Sequence, residues 1–397
     1  MKTMKLVGKD WVFQQFVLWQ SQLLRIRRDF HEHPELGFQT HRTAKRIADI
    51  LLRFGVRHID LKSVPGGVIA VIRRHLRWRF PDERDNNPPV IALRARIDAS
   101  PVTERSDIFY RSRNPRAAHT QGHDGEIAWL LGVARDFAHD TKMGNSTLVL
   151  IFEPGSETSR GADAVIHSGI FEKYGIETIF GVCADPTLPM GTYGFTAPEP
   201  GATPGSASGG NDPERVGYAR DLINDLFTDA ARTDLPPLPA PDDFSRYQSI
   251  VPGIMLRFGV RGPKHQTSLG SPEFDFNDST LPIVCSLTGG YVMTIRQGGT
   301  KVRRGTRLTI RWCGTTAGSF THSEDRKPEK KARSLKRPRL FLLINQKTRT
   351  SPSAGISARR GSIPRRCVRR RSSGRWSTQW LKPSMWTATI AASGASR

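Results

Sequence analysis

The segment from His119 to Asp124 carries residue types that bind metal ions and move protons. It reads His-Thr-Gln-Gly-His-Asp and precedes an apolar stretch with helical periodicity. Two more polar turns directly follow apolar runs, at Glu153-Pro-Gly-Ser-Glu157 and at Cys183-Ala-Asp185. Imidazole, carboxylate and thiolate groups are the usual ligands of zinc and related ions. The three turns therefore indicate a metal site, on condition that the fold brings them together.

The elements around these turns predict an α/β fold. Apolar, β-branched runs typical of buried strands lie at 67–72, 89–93, 148–152 and 178–182. Helical periodicity is found at 11–24, at 40–54, from about 124 onward, at 162–168 and at 215–232. Strands that alternate with helices predict a largely parallel sheet flanked by helices. Ligands collect beyond the carboxyl ends of such strands, which is where the polar turns lie.

Composition divides the chain near its C-terminal quarter. Residues 296–397 hold 26 of the 60 Lys and Arg but 3 of the 37 Asp and Glu, so this tail carries the whole net charge of +23. We expect one part of a catalytic domain at 11–197 and a Gly/Pro/Ser linker at 198–214. The second part is expected at 215–290, with turns and short apolar runs from 242 to 276. A basic tail of low order should fill 291–397, because regular pattern fades beyond Gly290.

Several function classes are excluded or disfavoured by the sequence. No apolar run is long enough to cross a bilayer, and the N-terminus lacks the apolar core of a secretory signal. The four cysteines are widely spaced, which does not suggest a disulfide framework. We therefore expect a soluble, cytoplasmic protein without membrane partners. The Arg- and Trp-rich tail could contact nucleic acid, but it has no zinc-finger spacing, recognition helix or heptads, so disordered or out-of-frame sequence is favoured.

Seven segments share their order and spacing with a known family. They are Arg27–Gly37, Leu93–Pro101, His119–Gly125, Phe152–Glu157, Gly181–Pro186, Asp243–Tyr247 and Pro272–Asn277. The chain resembles the metal-dependent amidohydrolases that include hippurate hydrolase, N-acyl-amino-acid amidohydrolases and indole-acetyl-amino-acid hydrolases, relatives of aminoacylase and zinc carboxypeptidases. The resemblance implies a zinc-peptidase-like domain in which a metal-activated water cleaves the amide bond of N-acyl amino acids.

The resemblance also implies where metal ions, zinc or manganese, would bind. His123 and Glu157 match metal ligands of the family. Cys183 stands at a ligand histidine and can itself bind zinc as a thiolate. Gln121 stands at a ligand cysteine and is a poor replacement. The last ligand histidine is replaced by Gly270, although His265 lies five residues earlier.

The catalytic positions implied by the resemblance differ from the family pattern as well. Ser156 stands where the family has its general-base glutamate, and a hydroxyl cannot act as a base near pH 7. Asp98 matches an aspartate that orients a ligand. Arg96, two residues earlier, stands at a family aspartate. We therefore expect impaired catalysis and at most weak zinc or manganese binding.

Two further expectations concern packing and assembly. The family's lid and dimerisation domain would be inserted near 198–215, where only the Gly/Pro/Ser stretch remains, so the usual dimer is not expected. His31 and His33 are expected on one face of an extended segment. The resemblance implies that the adjoining His-Pro-Glu-Leu turn serves packing, so a structural role is favoured over a metal pair. The alternative to an impaired hydrolase is an inactive family member that binds nucleic acid or acidic partners through its basic tail.

Overall fold

The computed structural model describes residues 4–7, 10–74, 89–139, 146–196, 210–226, 230–237, 242–296, 307–310, 369–372 and 375–378. The chain divides into two compact units, Met1–Ala317 and Gly318–Arg397. Most of the predicted linker and of the predicted basic tail lies outside the described residues. The proposed domain boundaries therefore remain predictions.

The first unit alternates strands and helices along most of its length. Its described helices are α1 (Asp10–Glu32), α2 (His41–Arg53), α3 (His123–His139), α4 (Gly161–His167), α5 (Ile170–Tyr174), α6 (Pro213–Leu226), α7 (Phe244–Gln248) and α8 (Leu281–Arg296). Its described strands are β1 (Met4–Val7), β2 (His58–Asp60), β3 (Val68–Arg74), β4 (Val90–Arg96), β5 (Ser146–Glu153), β6 (Thr178–Pro189), β7 (Tyr193–Thr196), β8 (Ala231–Leu235), β9 (Gly253–Arg261) and β10 (Arg307–Ile310). In the second unit, β11 (Arg369–Ser372) pairs antiparallel with β12 (Arg375–Thr378).

Eight of these strands form one mixed sheet in the order β2-β3-β5-β4-β6-β9-β7-β8. The four central strands, β5, β4, β6 and β9, run parallel. The pairings β2–β3, β3–β5 and β7–β9 are antiparallel, and the edge pairing β7–β8 is parallel. A separate antiparallel pair joins β1 to β10. The predicted fold class, an α/β sheet flanked by helices, is confirmed.

Both faces of the sheet are buried, which explains the continuous apolar runs of its strands. Along β3, Val68 and Ala70 belong to one core cluster and Ile69 and Val71 to the other. This alternation follows from the two-residue period of a strand. The first cluster includes apolar residues of α1, α2, α3, α6 and α8, and the second includes those of α4, α5 and α7.

Several elements differ from the sequence expectations; strand β6, for example, continues to Pro189, seven residues beyond its predicted end. Helix α1 continues to Glu32, eight residues beyond its predicted end, because Ile26 and Phe30 are buried in the first core cluster. The segment at 231–232, predicted as helix, is the start of strand β8, which pairs with β7. Regular structure also does not fade at Gly290, since α8 runs through it to Arg296.

Helix α6 begins at the end of the predicted linker. Asp212 precedes the helix, and its side chain accepts a hydrogen bond from the Arg215 amide at 2.9 Å, as an N-cap residue does. Pro213 occupies the first helical position, where its missing N–H costs nothing. Over the part of the chain that the structure describes, no helix is both long and apolar enough to cross a membrane.

Candidate active site

The polar segments singled out in the sequence lie at neighbouring parallel strands and at the start of a helix. The Cys183-Ala-Asp185 segment is not the turn that was expected, because β6 continues through it to Pro189. Arg96 ends β4 and pairs in register with Glu153, which ends β5. Cys183 lies on β6, the strand on the other side of β4, in register with Arg257 of β9. Helix α3 begins at His123. The fold therefore brings these segments to one edge of the sheet, as a site of this architecture requires.

Asp98 connects two of these turns. Its Oδ1 accepts a hydrogen bond from Ser156 Oγ at 2.6 Å, and its Oδ2 accepts one from the Glu157 amide at 3.0 Å. Its backbone oxygen lies 2.7 Å from His123 Nδ1. Burial raises the pKa of the Asp98 carboxyl, while these hydrogen bonds oppose the rise. Asp98 thus positions both His123 and Glu157.

His123 and Glu157 face each other. The His123 Nε2 and Glu157 Oε1 atoms are 3.9 Å apart. Because Nδ1 donates to the Asp98 carbonyl, Nε2 carries the lone pair, and this buried atom has no hydrogen-bond partner among the described residues. Burial, and after it the charge of Arg96, hold the pKa of His123 well below its usual range, so the ring is neutral. The two side chains offer one nitrogen and one oxygen donor to a cation.

Cys183 contacts a positive charge. Arg96 Nη2 lies 3.4 Å from its Sγ. Burial raises the pKa of the Cys183 thiol to about 11, so the group is protonated near neutral pH. The same guanidinium is paired with Glu126, and its Nη1 lies 3.1 Å from Asp242 Oδ2. The position expected to supply a thiolate ligand therefore holds a thiol beside a fixed cation.

The two positions described as lost ligands are neighbours. A Cβ built on Gly270 would lie 3.5 Å from Gln121 Nε2. Gly270 has φ +80°, and its amide donates to the Thr120 carbonyl at 2.9 Å. His265 lies in a separate turn, where its Nδ1 is 3.1 Å from the Asp275 carbonyl oxygen. No described contact joins it to His123 or Glu157, so it does not replace the missing histidine.

A buried ionic cluster next to the site was not found from the sequence. Arg27 pairs with Asp124, Asp275 and Asp278, and Arg27 Nη1 lies 2.6 Å from Asp124 Oδ2. His31 lies between two carboxylates, with Nδ1 at 2.8 Å from Asp124 and Nε2 at 3.1 Å from Glu104. These contacts support the structural role predicted for His31. The available signal was that both partners lie within motif segments, at Arg27–Gly37 and His119–Gly125.

A second buried cluster lies beneath the site. Arg94 donates to Glu153 Oε1 at 2.8 Å and to Asp243 Oδ1 at 2.8 Å, and Tyr247 also donates to Glu153. All four residues belong to segments that resembled the family. Charged residues are rarely buried unless they are paired, so their burial depends on these contacts. Arg94 and Asp243 are 149 positions apart in the sequence, so their contact could not be predicted from it.

The residues present do not fit a pair of metal ions. Within the described ranges, no group of three or more His, Cys, Asp and Glu side chains is arranged to hold a metal. The Asp98 carboxylate is occupied by Ser156 and Glu157, and the Cys183 thiol faces Arg96. His123 and Glu157 alone remain, which is fewer than the three protein ligands usual in catalytic zinc sites.

Comparison with known proteins agrees with the fold and the motifs. Residues 92–293 match the model of peptidase family M20/M25/M40. The fold and the polar turns thus define a metallopeptidase-type α/β domain, and the chain belongs to the M20 peptidase family. The resemblance stated from the sequence is confirmed.

Three curated relatives illustrate the similarity. The chain is 34% identical over 176 residues to an N-acetylcysteine deacetylase of Bacillus subtilis, covering 44% of this chain and 43% of that protein. It is 35% identical over 162 residues to a hippurate hydrolase of Campylobacter jejuni, covering 41% and 39%. It is 31% identical over 177 residues to thermostable carboxypeptidase 2 of Saccharolobus solfataricus, covering 44% and 42%. The chain thus spans less than half the length of each of these relatives.

Two solved structures share the fold. The Bacillus subtilis YXEP protein, described as a dinuclear metal binding peptidase of the M20 family, matches with a TM-score of 0.61 at 21% identity, over 70% of this chain and 99% of that one. A putative aminohydrolase of methicillin-resistant Staphylococcus aureus matches with a TM-score of 0.62 at 18% identity, over 73% and 100%. At these identities the likeness shows the architecture alone.

Proposed function

We propose that this chain is a catalytically impaired amidohydrolase whose ancestral substrates are N-acyl amino acids. The curated relatives support the substrate class, since N-acetylcysteine and hippurate, which is N-benzoylglycine, are both N-acyl amino acids. The observation that carries the impairment is at Ser156. Its hydroxyl occupies the position expected for the general base. It donates a hydrogen bond to Asp98 Oδ1 at 2.6 Å.

A hydroxyl in this arrangement cannot take a proton from water near pH 7. General-base catalysis typically contributes about a hundredfold to ten-thousandfold in rate. The missing general base adds to the loss of metal ligands at Gln121 and Gly270, which are neighbours in the structure. Any zinc or manganese that binds does so weakly, through His123 and Glu157.

The test is hydrolysis of a panel of N-acyl amino acids, N-acetylcysteine and hippurate included, with added zinc or manganese. The matched control is His123→Asn, which removes the imidazole of the one described donor pair and keeps a polar side chain. Wild-type and H123N turnover are expected to be equal and at background. Wild-type turnover at least about tenfold above that of H123N would overturn the proposal, because catalysis by this site would then be present.

A further inference from the structure

We propose that Arg96 is a built-in cation that keeps divalent metal from Cys183 and so denies a site at His123 and Glu157 its third donor. The proposal rests on the impaired function argued above and assigns that impairment a specific cause within the chain. It goes beyond the loss of individual ligands. His123 and Glu157 offer two donors, and the third candidate donor, Cys183, faces a permanent positive charge.

The geometry places this charge against one member of the former ligand set. Arg96 Nη2 lies 3.4 Å from Cys183 Sγ. The other two donors, His123 Nε2 and Glu157 Oε1, are 3.9 Å apart. A divalent cation bound by Cys183 would therefore lie close to a guanidinium in a buried region. Like charges repel strongly where the effective dielectric constant is low.

The guanidinium is also held in place. Glu126 is fully buried, pairs with the Arg96 side chain, and accepts a hydrogen bond from the Arg96 amide at 3.1 Å. Asp242 Oδ2 lies 3.1 Å from Arg96 Nη1. Arginine does not lose its proton in proteins, so the charge persists at every accessible pH. Arg96 can neither swing away from its buried partners without leaving them unpaired nor become neutral.

The experiment removes the cation together with its partner. Arg96→Met with Glu126→Gln avoids leaving a buried carboxylate unpaired, which would be strongly destabilising. Asp242 keeps a partner in this variant, because its Oδ1 lies 3.1 Å from Arg94 Nη2. Zinc affinity is measured by competition with a chromophoric chelator. We expect R96M/E126Q to bind one zinc per chain at least about tenfold more tightly than wild type, since the repulsion is gone.

Cobalt supplies a spectroscopic signature of the predicted ligand set. When Cys183 binds the ion, its thiol releases a proton to solvent and the thiolate gives a charge-transfer band with Co²⁺. The band is expected in R96M/E126Q and not in wild type. Adding Cys183→Ser to the double variant should remove both the band and the gain in zinc affinity.

Two controls keep the inference falsifiable. Glu126→Gln alone retains the guanidinium and is expected to bind zinc as wild type does. Should R96M/E126Q fail to fold by circular dichroism, Arg96→Gln replaces it, because an amide can still donate to Glu126. Zinc affinity equal to wild type in the folded variant overturns the inference, and so does an equal gain in E126Q.

The zinc-affinity experiment and the hydrolysis experiment test different claims. Wild-type hydrolysis above H123N contradicts the impairment, whatever the zinc affinities are. Equal zinc affinity in wild type and R96M/E126Q contradicts the exclusion by Arg96, even if wild type turns over no substrate.

Discussion

The buried His31 gives the stability of this domain a distinct pH dependence. Burial alone would lower the pKa of His31, but its hydrogen bonds to Asp124 and Glu104 outweigh burial and raise the pKa from 6.5 to about 9. A group whose pKa is raised by folding binds its proton more tightly in the native state. The stability it contributes is complete below about pH 6.5 and is lost as the pH rises through 9.

The size of the effect follows from the shift. A shift from 6.5 to about 9 corresponds to about 3 kcal/mol of unfolding free energy. Replacing His31 by Gln keeps a polar side chain that can donate to one carboxylate but cannot carry the charge. The gap in unfolding free energy between wild type and H31Q is therefore expected to be largest near pH 6. It should shrink by about 3 kcal/mol by about pH 10.

Urea unfolding followed by circular dichroism, repeated across this pH range, measures the gap. The control is His33→Gln, two residues along the same segment, which leaves both carboxylate contacts of His31 intact and should keep the wild-type pH dependence. His33 is partly exposed, and its Nδ1 lies 2.8 Å from the Asp29 carbonyl oxygen. A gap between wild type and H31Q that stays constant with pH would show that His31 is not held charged by Asp124 and Glu104.

Two further substitutions test the packing and the site. Gly125→Ala would place a methyl group into the ring of Phe276, so a loss of about 1–3 kcal/mol is expected in chemical denaturation; an unchanged midpoint would contradict the close approach of α3 to that ring. Ser156→Glu combined with Gln121→Cys restores a carboxylate and a thiol but leaves Arg96 in place, so hydrolysis of N-acetylcysteine with added zinc is expected to stay at the level of Ser156→Gln with Gln121→Cys. A clear rise would show that Arg96 does not exclude the metal.

The sequence predicted the parts of the fold that depend on local pattern. Continuous apolar runs predicted the strands that are buried on both faces, β3, β4, β5 and β6. Strand β9 was missed because it contains Arg257, whose burial depends on Asp185, 2.6 Å from its Nη2 and 72 positions away along the chain. Helix α8 was not predicted, and regular pattern was expected to fade beyond Gly290, a poor helix former. A Cβ built on Gly290 would lie 3.1 Å from Leu222 of α6, so the absence of a side chain lets the two helices pack closely.

The site was predictable in its residues but not in its electrostatics. The motifs identified His123 and Glu157, and the structure places them 3.9 Å apart. They could not show that Arg96 would be enclosed with Glu126 and contact Cys183. That arrangement depends on a helix and two strands meeting in space, which no spacing along the chain specifies.

The most direct test of the account is the metal content of the purified wild-type protein after dialysis against zinc and then against metal-free buffer. Elemental analysis is expected to find less than about a tenth of an equivalent per chain, because two side chains beside a fixed cation cannot retain an ion. About one or two equivalents retained per chain would contradict the account, because the remaining donors would then hold a metal ion despite Arg96.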